Sequence, residues 1–168
     1  MLPAQASQND ARLPGLFDQL REARSTKDAA QVEQAIWQVW LVSGNFTADA
    51  HVHRGLQTLS DGRNEDALVD FTKATEVKAD FAEAWNKRAT VRFIAGDHRG
   101  SAKDIAQVLQ LEPRHFGALS GLGMIQMHNG DWQNALETYE LAFSIHPYLA
   151  NVEMIIEDLR KRLKGRAS

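Results

Sequence analysis

The residues Phe116 to Leu149 read FGALSGLGMIQMHNGDWQNALETYELAFSIHPYL, and their spacing decides the fold. Leu119, Leu122 and Gly123 recur at steps of three and four, so they share one face of a helix. Beyond Gly130 and Asp131 the same steps return at Ala135, Tyr139, Ala142 and Ile145, and Pro147 stops this second helix. Two upstream stretches, 82–115 and 48–81, align with this one without a gap. Gly62, Gly96 and Gly130 mark the register, each 34 residues after the last. A fixed period of this size describes a stack of identical supersecondary units, here helical hairpins, each hiding its apolar face against the next.

The conserved-looking positions have physical reasons within one chain. A glycine after the first helix takes the left-handed turn, which costs a residue with a side chain about 1 kcal/mol. Asp97 and Asp131 are placed to cap the helices that follow, and Asp80 with Glu83 reads as a capping box ahead of the helix containing Trp85. Small residues at Gly55, Ala67 and Ala74, and at Gly123, Ala135 and Ala142, let two antiparallel helices approach; larger ones would overpack by roughly 1–3 kcal/mol. Phe71, Ile105 and Tyr139 are expected to fill the gaps between neighbouring hairpins. No segment alternates with a period of two, so no sheet is expected.

Composition narrows the function. The chain has 168 residues, 43% hydrophobic and 24% charged, enough for a core of ordinary kind. A net charge of −3 gives no field to draw in nucleic acid or an anionic membrane surface. The basic run Arg160, Lys161, Arg162, Lys164 and Arg166 reads as a solvated helix end. Cysteine is absent, which removes disulfides, thiolate nucleophiles and cysteine-ligated zinc. No apolar run is long enough to span a membrane. Residues 1–11 are expected to be a disordered N-terminal segment. Ala4-Gln5-Ala6 looks like the tail of an export cleavage site, a possible signal-peptide remnant, and tilts the expected location to the periplasm over the cytoplasm.

The pattern resembles the tetratricopeptide repeat (TPR) family. The third unit, 116–149, carries that family's leucine–glycine pair at Leu122 and Gly123, its small residues at Ala135 and Ala142, the aromatic at Tyr139 and the proline at Pro147, departing only at Gln126. The second, 82–115, is intermediate, and the first, 48–81, departs at His51, Arg54, Thr58 and Ala79. The resemblance implies an all-α fold, a right-handed superhelix of antiparallel helix pairs, and the role of a protein–protein interaction module without catalysis. Its partner would be a peptide or protein held in the concave groove, with no nucleic acid and no cofactor, on a monomer or weak oligomer. Transferred residue by residue, the groove would be lined by Asp49, Val52, Leu56, Leu59 and Ser60, then Glu83, Asn86, Thr90, Phe93 and Ile94, then Gly117, Ser120, Met124, Met127 and His128. An apolar cluster of this kind marks a partner surface, although Leu59, Phe93 and Met127 equally suit a core between first helices. Family members that grip a partner's C-terminal carboxylate use lysine and asparagine where this chain has Val52 and Leu56, so that clamp is missing. The whole chain also looks similar to small bacterial repeat proteins. Other readings left open are a permanent structural subunit of a multiprotein complex and an accessory factor of an enzyme system.

The ends follow from the repeat. Residues 12–47 are expected to form an N-terminal helical hairpin, over 12–24 and 28–43, either a degenerate repeat or a cap. Leu13, Leu16, Phe17 and Leu20 form one apolar face, and Val32, Ala35, Ile36, Val39 and Trp40 the other; the pair carries two of the four tryptophans. Residues 150–168 are expected to be a capping helix with a basic tail, hiding Val152, Ile155, Ile156, Leu159 and Leu163. Two units carry arginine where the family has leucine, Arg54 and Arg88, and the same two carry aspartate sixteen residues later, Asp70 and Asp104. The third has Leu122 and Thr138. Residues that come and go together point to structural ion pairs, within a hairpin or from Asp70 to Arg88 across hairpins.

No chemistry is expected. His51 and His53 lie two apart on a helix and face different ways. His98, His115, His128 and His146 fall at helix ends, spread along the molecule, so no metal site is assigned. Ser120-Gly121-Leu122-Gly123 imitates a nucleophile or phosphate loop but sits mid-helix with no strand before it.

Overall fold

The computed structural model describes residues 7–165. Ala4-Gln5-Ala6 and Arg166, on which two of the expectations fall, lie outside the described residues. Within them the chain is helical and contains no strand: α1 (Leu13–Glu22), α2 (Thr26–Trp40), α3 (Phe46–Ser60), α4 (Asn64–Val77), α5 (Ala82–Ile94), α6 (His98–Leu111), α7 (Phe116–His128), α8 (Trp132–Ile145) and α9 (Val152–Lys164).

Three antiparallel pairs, α3 with α4, α5 with α6 and α7 with α8, stack in chain order, and α9 closes the stack on α8. The first helices α3, α5 and α7 lie side by side. Gly62, Gly96 and Gly130 all turn left-handed, with φ of 76°, 81° and 74°. One backbone requirement thus recurs at each period, as a constant helical step demands.

In the first and third pairs the close approach rests on a glycine, where the second has Ala89. A Cβ placed on Gly123 would stand 2.6 Å from the Tyr139 ring, and one on Gly55 would stand 2.7 Å from the Phe71 ring. Phe71 and Tyr139, expected between neighbouring hairpins, therefore also lie over the glycine of their own hairpin. Gly121 differs, because a Cβ there would meet only the mobile end of Ile105 at 3.2 Å. Gly123→Ala gains helix propensity but overlaps a buried ring, and a net loss of about 1–3 kcal/mol is expected. Gly121→Ala should be within about 0.5 kcal/mol of the parent or more stable. Urea unfolding of the two variants side by side measures the contrast; equal stabilities would contradict it.

Helix starts use local caps where the sequence offers them. Ser25 Oγ accepts from Asp28 N, Asn45 Oδ1 from Ala48 N, and Asp97 Oδ1 from Gly100 N. Two expected caps differ. Asp131 accepts from the Asn134 side chain at 2.7 Å and makes no backbone cap. The capping box of Asp80 and Glu83 does not form: Phe81 holds the cap position of α5, Asp80 pairs with Lys78, and Glu83 turns inward to partners supplied by tertiary structure. Order also begins earlier than residue 12. Ser7–Asn9 form a 3₁₀ turn, and the Gln8 amide donates to Asp80 O at 2.6 Å, which fastens that segment to the repeats.

The N-terminal pair folds back along the repeats. Helix α1 packs on α2 and on α8. Glu33 of α2 meets His146 at 3.1 Å, and Tyr148 OH donates to Ala23 O at 3.1 Å. The pair and the repeats share one core, in which Leu13, Phe17, Leu20, Ala29, Ile36, Val39 and Trp40 meet Phe116, with Ile145, Tyr148 and Leu149 packed against them.

Candidate functional site

The surface shared by α3, α5 and α7 is built from residues of two fates. Helices α5 and α7 leave an apolar cavity of about 240 Å³ between them, lined by Asn86, Thr90, Phe93, Ile94, Ser120 and Met124. Ile94 is 54% exposed and Met124 48%, although both are large and apolar. A second hollow of about 600 Å³ continues from Met124 and Met127 to Trp132 and Ile155, so α8 and α9 extend the same strip. The Arg162 guanidinium lies 4.2 Å from the Trp132 ring centroid and flanks it with positive charge. At the rim, the His98 and His128 rings stand 4.3 Å apart, and Phe93 meets His98 edge-on at 4.8 Å. These two histidines, which the sequence seemed to scatter, are neighbours because one repeat stacks on the next. A larger cleft of about 750 Å³ lies between α1 and α2. It sits apart from this strip, and its charged residues Asp10 and Arg12 satisfy each other at 2.8 Å.

Several other positions assigned to the groove are covered or packed on the core. Val52 is buried, and Leu56 and Leu59 pack on the core of the first pair. Asp49 accepts from the Ser43 backbone and hydroxyl at 2.8 and 2.6 Å, tying α3 to the preceding loop. Glu83 and Asn86 are buried and bonded to each other at 3.1 Å. Val52 and Glu83 are therefore closed to a ligand in this structure, while Asn86, largely buried, lines the 240 Å³ cavity. A Cβ on Gly117 would touch the Trp37 ring at 2.9 Å, so α2 stands over this part of the surface. Ser60 and His128 are exposed at its opposite end.

Beneath α2 lies a buried charge cluster. Glu83 Oε2 meets His115 Nε2 at 2.8 Å, and Lys87 Nζ stands 2.9 Å from Oε1. Ala118 N donates to His115 Nδ1, which leaves Nε2 as the nitrogen that donates to the carboxylate. Burial alone would raise the Glu83 pKa; Lys87 and His115 outweigh it and hold the carboxyl below its ordinary value. The family resemblance marked Glu83 as a groove residue and gave His115 and Lys87 no role. His115 meets Glu83 across 32 residues, on the neighbouring repeat, whereas Lys87 lies one turn from Glu83 on α5.

The arginine–aspartate pairs are both within a hairpin. Arg88 grips Asp104 with two bonds of 2.8 and 2.7 Å, donates to Thr75 Oγ1 at 3.1 Å, and shares Asp104 with Arg92 at 3.0 Å. Arg54 meets Asp70 at 2.6 Å, with His51 at 3.0 Å on the same oxygen. The Asp70 carboxyl is held below its ordinary range chiefly by its hydrogen bond to Arg54. These contacts join helices and face no cavity. Among the described residues no group of three or more histidine or carboxylate side chains could hold a metal, and no helix is long and apolar enough to cross a membrane.

The chain matches no family model. It is 36% identical over 154 residues to a TPR repeat-containing protein of Rhizobium etli, a match spanning 92% of this chain and 76% of that protein. Among solved structures, the first TPR of Spaghetti (RPAP3) bound to the HSP90 peptide SRMEEVD superimposes with a TM-score of 0.67 at 16% identity, over 70% of this chain and 94% of that one. The Sgt2 TPR domain from Aspergillus fumigatus gives 0.66 at 18% identity, over 73% and 83%. Period, left-handed glycines, paired helices and this relative agree: the chain belongs to the tetratricopeptide-repeat family, with a helical solenoid for its fold.

Proposed function

We propose that this protein is a non-catalytic adaptor that holds an apolar segment of a partner protein against the open strip between α5, α7 and α9. The observation that carries this reading is the pair Ile94 and Met124, half exposed on either side of the 240 Å³ cavity. Isolated exposed apolar residues are ordinary, but a contiguous strip reaching to Trp132 and Ile155 is not. Unbranched methionines adapt their shape to what they hold. The TPR neighbour bound to an HSP90 peptide supports a peptide as the kind of partner. An acidic tail gripped by its terminal carboxylate suits this chain poorly, because Val52 and Leu56 offer no charge where such a clamp would sit, and Val52 is buried.

The test is crosslinking in native cells with the parent and with Ile94→Glu/Met124→Glu. Both side chains are surface groups, so the variant should fold normally. Loss of the main crosslinked partner is the expected result, corresponding to at least a ten-fold weaker affinity from two charges placed against apolar contacts. An unaltered set of partners removes this reading. A partner that co-purifies stoichiometrically through washing would instead favour a permanent structural subunit.

A further inference from the structure

We propose that α2 is an internal ligand of the concave face, and that the seat it fills is shaped for a partner's amphipathic helix of the same chemistry: a carboxylate followed four and seven residues later by aromatic rings. In α2 these are Glu33, Trp37 and Trp40. This goes beyond the adaptor reading, which concerns the open strip at the other end of the same helices.

The seat consists of rings and charges on the repeats. The Trp40 ring stacks on His115 with centroids 4.1 Å apart and planes 7° from parallel, and lies 5.1 Å from Phe116. Trp37 meets His115 and Phe116 edge-on at 5.5 and 5.3 Å. Lys87 Nζ sits 5.1 Å from the Trp37 ring centroid, and Glu33 pairs with His146. Carboxylate to imidazole, indole to ammonium and indole to imidazole are complementary contacts of the sort that recognise a helix in a groove.

What distinguishes this seat from ordinary core is how its polar groups are satisfied. Glu83, Lys87, Asn86 and His115 bond to one another and to the Ala118 backbone, all within the repeats. Lifting α2 away breaks none of those bonds. On the other side α2 packs on α1 through Leu13, Phe17, Leu20, Ile36 and Val39, in a core that also takes in Phe116, Ile145, Tyr148 and Leu149 of the repeats. The interface leaves Trp40 Nε1 buried with no partner, and this indole N–H gains water when it opens. Opening also exposes the fully buried Trp40 and Phe116, which opposes spontaneous release. The balance describes a device that exchanges one helix for another. The link to α3 runs through Gly44, whose φ is 74°, so the hairpin is joined to the repeats by a short turn.

The test uses the full chain carrying Glu33→Gln and Trp37→Ala, which weakens the tethered helix and leaves the seat intact. The probe is a fluorescein-labelled synthetic peptide of residues 26–40. A tethered segment competes at an effective concentration near millimolar, so the parent chain should bind the probe weakly. Binding at least ten-fold tighter to the variant is expected, with no binding of a peptide in which both tryptophans are alanine. Equal binding to both proteins, or none to either, overturns the proposal. Hydrogen exchange on the parent protein decides the matter even if the variant folds poorly. Amides of 26–40 should exchange through a local opening at least ten-fold faster than those of α5 and α7. Exchange of all three helices in one cooperative step makes α2 a permanent part of the core and overturns the proposal. Ile94→Glu/Met124→Glu should leave both measurements unchanged, so failure here and failure of the adaptor reading are distinguishable.

Discussion

Replacing Arg88 with leucine is expected to lower stability by about 3 kcal/mol, because Asp104 would be left buried with half of its charge compensation gone. The Arg88 side chain is 11% exposed and that of Asp104 3%, and two short bonds join them. Arg92 remains at 3.0 Å and keeps the loss from growing larger. In a chain of this size the melting temperature should fall by roughly 6–12 °C. Arg54→Leu makes the control. The Arg54 side chain is 56% exposed, so the solvent screens its ion pair with Asp70, and Arg54→Leu should melt much closer to the parent than Arg88→Leu does. The third repeat, with Leu122 and Thr138 at the equivalent positions, supplies the repair. Arg88→Leu combined with Asp104→Thr should recover most of the lost stability, since no carboxylate then remains to be paired. Thermal unfolding of the four proteins settles it, and an Arg88→Leu variant melting with the parent would refute the pairing.

Glu83→Ala should cost about 2–4 kcal/mol for a related reason: the buried His115 and Asn86 lose their acceptor, and Lys87 loses its counter-ion. The same cluster sets an acid limb. Since the folded Glu83 carboxyl titrates below its ordinary value of 4.5, its contribution is complete above about pH 4.5 and is lost as pH falls through the lower folded value. Asp70, also depressed, acts in the same direction. Denaturant unfolding from pH 7 to pH 3 should give a parent curve that drops below pH 4.5, and a Glu83→Gln curve that starts lower and drops less. Parallel curves would mean that the cluster does not titrate on unfolding.

Much of the fold was legible in the chain because its signal is local and repeated. The step of 34 residues, the left-handed glycines and the small residues beneath Phe71 and Tyr139 concern neighbours within one hairpin or the next. The arginine–aspartate correlation was readable for the same reason, since sixteen residues separate two helices of one pair. Even the polar departures of the first repeat have an account: His51 and Arg54 stand at the leading edge of the stack and converge on Asp70.

The candidate site was legible in part. Asn86, Thr90, Phe93, Ile94, Ser120, Met124 and Met127 line one open strip, while Val52 and Glu83, assigned to the same face, are covered. Trp132 and Ile155 join the strip from α8 and α9, and no count of groove positions on first helices could have included them.

The sequence by itself determined the hairpins, their period, their stacking order and which side of each helix is apolar, because periodicity reports which face must leave water. Only the tertiary structure decided what that face meets. Trp37 and Trp40 stand on His115 and Phe116, more than seventy residues away, and Glu33 reaches His146 over 113 residues. Contacts at that separation depend on how the whole stack curves, and no local pattern encodes that sum.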